Sequence, residues 1–105
     1  MLYHVRAQPI QGKTPEFWTV LNDGTIADQE PDGQEIIASM KRAVISHGIV
    51  EWHETCYCSP PLKHEKATVY DRFFTAMKAE RVDSTPSLKG EKFWKHLEEL
   101  QKGRE

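Results

Sequence analysis

Ile49-Val50-Glu51-Trp52-His53-Glu54-Thr55-Cys56-Tyr57-Cys58 is the stretch whose reading decides the fold. Strict alternation puts Val50, Trp52, Glu54, Cys56 and Cys58 on one face of a strand, and Ile49, Glu51, His53, Thr55 and Tyr57 on the other. Both cysteines of the chain lie in it. A Ser59-Pro60-Pro61 turn follows, then Leu62-Lys63-His64-Glu65, so thiols, an imidazole and a carboxylate are gathered within ten residues.

Downstream, Ala67–Thr75 reads two ways. Thr68, Val69, Tyr70, Phe73 and Phe74 favour a strand, whereas the spacing 69, 70, 73, 74, 77 fits one face of a helix. Two long strands alone are marginal in water, so the segment is expected to be a strand pairing antiparallel with 49–58 across the Ser-Pro-Pro loop. Upstream, Leu2–Ile10 alternates and reads as a strand with Tyr3, Val5 and Ala7 inward. Thr14-Pro15 marks a helix start carrying Phe17, Trp18 and Leu21, and Asn22-Asp23-Gly24 closes it. A brief strand is expected at Thr25–Ala27.

The clearest helix follows Asp32, where Asp32 and Glu35 fit a capping box. Ile36, Ile37, Met40, Ala43 and Val44 make its apolar stripe, and Gly48 stands where a left-handed cap belongs. His47, just before it, fits a cation at a helix C-terminus. After a Ser/Thr/Pro/Gly connector over 83–90, Glu91–Lys102 forms a last helix through Phe93, Leu97 and Leu100. The expected order is βαβαββα: an α+β fold with a mainly antiparallel sheet and helices packed on one face, for which ferredoxin-like is the nearest named architecture.

Composition agrees with one domain over 1–105. At 38% hydrophobic and 29% charged residues the chain is rich enough in apolar side chains to fold. A net charge of −2 offers no general attraction for nucleic acid. Residues 1–61 hold four Lys/Arg against eight Asp/Glu, and 62–105 hold ten against eight, an asymmetry that suits solvated faces or head-to-tail self-association. With no signal-like start and no apolar run near the roughly 20 residues of a membrane span, a cytoplasmic chain that does not enter a membrane is expected, with both thiols reduced.

Three functions compete. The first is a non-catalytic binding or oligomerisation domain that associates with itself or a protein partner, for which Trp94 beside Phe93 would widen a docking face. The second is a small enzyme on a dimeric α+β scaffold, with Glu54 or His53 acting beside Cys56 or Tyr57; burial of Glu54 would make it a general acid or base. The third is zinc binding through Cys56, Cys58 and His64, with Glu65 as an alternative closing ligand. Cys56 and Cys58 would project about 6.6 Å apart along one strand face, but zinc wants four ligands. Two packed thiols are therefore the expected state, with no cofactor required and zinc the ion the group would suit.

Overall fold

A computed structural model describes residues 1–103. Two long antiparallel strands form its centre: β1 (Leu2–Pro9) and β3 (Ile49–Thr55), the latter preceded by a short β2 (Val44–Ser46). The β1–β3 register sets Tyr3 against Glu54, Val5 against Trp52 and Ala7 against Val50. All six are buried, while His4, Arg6, Glu51 and His53 share the opposite face. One face of the sheet is thus apolar and must be covered.

Helices cover it. Between β1 and β2 run α1 (Thr14–Asn22) and α2 (Gly33–Arg42); after β3 come α3 (Lys63–Glu65), a π-helical turn (Lys66–Tyr70) and α4 (Asp71–Phe73). β4 (Phe74–Arg81), β5 (Glu91–Lys92) and α5 (Phe93–Lys102) complete the chain. The five strands form one antiparallel sheet in the order β4-β1-β3-β2-β5. Phe74 is the aromatic hub between the layers, with ring centroids 5.5 Å from Phe17, 5.4 Å from Trp52 and 6.1 Å from Phe93. Among the described residues no helix is long and apolar enough to cross a membrane.

The α+β class, the antiparallel sheet and the helical layer are as the alternation indicated. The linear order differs in three places, besides Glu91–Lys92, which form β5 instead of opening the last helix. Residues 25–27 form turns rather than a strand. Ala67–Thr75 is mostly helical: the helix-face spacing wins because Val69, Tyr70 and Phe73 can all be buried against a sheet that finds its third long strand in β4. That strand pairs with β1 and not with 49–58, whose neighbours are β1 and β2.

The third change is at α2. This helix stops at Arg42, and Ala43 already has extended backbone. His47 (φ 53) and Gly48 (φ 79) are then the two positive-φ residues of a tight hairpin joining β2 to β3, not a helix end. At the other end of α2, Gly33 is required by space: a Cβ there would collide with the Ile26 carbonyl oxygen.

α2 buries Ile36 and Met40 completely, with Ile37 partly buried beside them. Met40→Ala should therefore destabilise by about 2 to 5 kcal/mol through lost burial and a residual cavity. A urea melt showing less than about 0.5 kcal/mol, the range of surface changes, would contradict this packing.

Candidate functional site

β3 ends at Thr55, and two carboxylate contacts fix where it ends. Glu35 Oε2 on α2 accepts the Thr55 N–H at 3.1 Å and a proton of the Arg42 guanidinium at 3.3 Å. Arg42 also donates to the His53 carbonyl at 2.8 Å. Beyond this clamp the chain leaves the strand, and Cys56-Tyr57-Cys58 runs along the wall of a cleft of about 450 Å³. Pro31, Asp32, Glu35, Thr55 and Glu65 line the remainder.

Next to the cleft-lining residues Thr55 and Glu65 lies a buried polar cluster. Glu54 is fully excluded from solvent; its Oε1 accepts the Tyr70 O–H at 2.6 Å and the Trp52 indole N–H at 2.9 Å. Among the described residues its Oε2 has no hydrogen-bond partner. Burial outweighs the two donated hydrogen bonds, and with the neighbouring Glu65 it raises the Glu54 pKa to about 8. Neutral Glu54 is then the stable form at pH 7. Tyr70 is pushed well above the ordinary phenol value by its own burial and by Glu54, so it remains a hydrogen-bond donor.

The thiols line the cleft itself. Cys56 is buried and its pKa is pushed up to about 12, chiefly by desolvation. That makes it a poor free nucleophile, because the reactive species is the thiolate. The Cys58 N–H donates to Cys56 Sγ at 3.1 Å, and the Cys58 thiol to Glu65 Oε1 at 3.5 Å. Glu65 is buried at the end of α3, a single turn that begins from Leu62 in the left-handed region at φ 61. A buried leucine rarely adopts that conformation, and such strain is commonly tolerated where side chains must be aimed.

Donor atoms of Cys56, Cys58 and Glu65 all lie within 4.8 Å of one another. Those of Asp32, His64 and Glu65 do likewise, so Glu65 belongs to both groups. His64 Nδ1 sits 2.7 and 2.8 Å from the two Asp32 carboxylate oxygens. Both oxygens are acceptors, so Nδ1 carries the proton and Nε2 is the ring nitrogen left for another partner.

Several expected site residues are placed differently. The ligand set Cys56, Cys58 and His64 is not what converges: Glu65 closes on the two thiols, while Asp32 holds His64. Asp32 does occupy the N-cap position of α2 but makes no side-chain cap hydrogen bond. Glu35 likewise serves Thr55 and Arg42, so there is no capping box. Glu54 is buried as the alternation implied, and among the described residues no ion pair neutralises it.

His53 lies on the face opposite Glu54, as the alternation implied. Its ring is 5.5 Å from His4, and its pKa is lowered by desolvation and then by His4 and Arg42. Tyr57 is 86% exposed at the cleft rim, so a catalytic pairing with Glu54 has no contact to support it. Tyr70 and Asp32, which do belong to the site, were hidden by a strand reading and a capping reading. Comparison with known proteins returned no matching family model, no matching curated protein and no matching solved structure, which leaves the chemistry of the cleft resting on its own residues.

Glu54 generates a pH dependence with a definite sign. Its folded pKa, about 8, lies above the ordinary glutamate value of 4.5, so the folded chain holds a proton the unfolded chain has released. The stability this proton confers is fully present below about pH 4.5 and is lost progressively as pH rises toward 8. Glu54→Gln keeps a neutral polar group in place and should flatten that decline, making the variant more stable than wild type at pH 8.5. Chemical denaturation across pH 5 to 9 checks it; parallel pH profiles for the two proteins would show that Glu54 is ionised in the fold.

Proposed function

We propose that the chain binds a divalent thiophilic metal ion, zinc by the character of its donors, at the head of the cleft through Cys56, Cys58 and Glu65. The observation that carries this reading is the convergence of two thiols and a buried carboxylate to within 4.8 Å. Bonds of about 2.0 to 2.3 Å at tetrahedral angles require ligand atoms up to about 3.8 Å apart, so the side chains need close by no more than about 1 Å. Two sulfurs and one oxygen suit zinc far better than magnesium or calcium, which prefer all-oxygen shells.

The surrounding groups support the same reading. Three protein ligands leave a fourth position toward the cleft, the pattern of sites that keep a water or take up an exogenous ligand. Glu65, released from the Cys58 thiol on metal binding, remains beside neutral Glu54, which can donate its proton to a ligand carboxylate and so orient it. His64, oriented by Asp32, stands next to Glu65 as an alternative or supplementary ligand.

Metal analysis of untagged protein prepared without chelator should give about one zinc per chain after dialysis. Cys56→Ser, Cys58→Ser and Glu65→Gln should each reduce retention at least about tenfold. Affinity should fall as pH drops, because the ion must displace thiol protons and Cys56 holds its proton strongly. Retention unchanged in all three variants, or a wild-type chain whose melting temperature is the same with zinc and with chelator, would sink the proposal.

A further inference from the structure

We infer that β4 is a self-complementary edge through which two copies of this chain pair antiparallel, joining their sheets across a two-fold axis. Strand order leaves β4 with β1 on one side and no strand on the other. The opposite edge is β5, only two residues long, so among the described residues β4 is the long open edge. The connector after it runs away from that edge: Thr85–Leu88 line a hollow with Arg42, His53 and Lys92 near the other side of the sheet.

Backbone direction limits how a second strand can attach. The Val82 N–H donates to the Leu2 carbonyl at 2.9 Å, and the same register sets Glu80 against His4 and Lys78 against Arg6. In an antiparallel ladder both polar groups of a residue point the same way and alternate along the strand. Residues 78, 80 and 82 therefore spend their N–H and C=O groups on β1. Those of Met77, Ala79 and Arg81 point outward, where a second strand can accept them.

Charge then selects one register. Centring the two-fold axis on Ala79 pairs Ala79 with its own copy and Met77 with Arg81 of the second copy, each pair exchanging two hydrogen bonds. Lys78 then falls opposite Glu80 of the second copy, twice, at the closer non-hydrogen-bonded spacing. Shifting the pairing sum by two residues either way would set Lys78 against Lys78 or Glu80 against Glu80. Both side chains are exposed, and among the described residues neither forms an ion pair within the chain.

Two further features suit this occupant. Met77 and Ala79, on the helix-covered face, are only partly buried against the core, so the helical layer stops short of this edge. Ala76, with φ 54 at the irregularity where the β1–β4 register shifts, bends the strand just before this segment, and the regular pairing with β1 resumes from Lys78 to Arg81. The lysine at the edge would repel a basic strand, whereas an inverted copy of the same segment supplies its counter-charge.

Sedimentation velocity of the untagged full chain over a concentration series tests the pairing. A reversible dimer is expected. Lys78→Glu and Glu80→Lys should each weaken it about tenfold or more, and the double exchange should restore wild-type association. Ala79→Pro removes an outward N–H that β1 does not use, so it should abolish the dimer while leaving the circular dichroism spectrum unchanged. A wild-type chain that stays monomeric at millimolar concentration overturns the proposal. So does a dimer indifferent to the single charge reversals, or one that the double exchange fails to restore.

Discussion

The hydrogen bonds that Glu54 accepts from Tyr70 and Trp52 tie the molecule together where its function is proposed to lie. Burying a carboxyl is costly unless it is neutral and hydrogen-bonded, and Glu54 is both. Because one donor is on β3 and the other on the π-helical turn, the bonds dock residues 63–73 on the sheet at a defined height. That docking carries Glu65 over the strand exit and brings it to the two cysteines. An apolar residue at 54 could pack there, but it would give Tyr70 no acceptor and Glu65 no neighbour.

Acidic residues of α2 extend the same logic to the opposite wall. Asp32 and Glu35 lie at the start of a helix, where negative charge is favoured by the helix dipole. Neither is used as a cap. Glu35 holds Thr55 where β3 ends, and Asp32 holds His64, so the first turn of α2 positions both sides of the cleft. The cleft is thus assembled from a strand end, a loop, a single-turn helix and the N-terminal turn of another helix, with Glu54 and Glu35 as the anchors.

This arrangement places the proposed metal centre and the proposed pairing edge on different parts of the sheet. The thiols follow β3 at the centre, whereas β4 forms the outer edge beyond β1. Association through β4 would leave the cleft mouth unobstructed by the pairing strands themselves. The two proposals therefore stand or fall separately.

Alternation in Leu2–Pro9 and Ile49–Thr55 was enough to determine the two central strands and which of their side chains face inward, because a period of two is imposed by the strand itself; its continuation to Cys58 was not, since the chain leaves the strand after Thr55. The apolar stripe of α2 and the composition were enough for the α+β class. Residues 67–75 carried both periods at once, and only the presence of β4 as the third long strand released them to be helical. The pairing of Asp32 with His64 across 32 positions, and of Glu65 with Cys58, depends on how separate elements dock. Local sequence can say that a carboxylate is available near a helix start or end. Whether it caps a backbone amide, orients an imidazole or meets a thiol is decided by which group the tertiary structure brings within about 3 Å of it, since hydrogen bonds and coordination act only at that range.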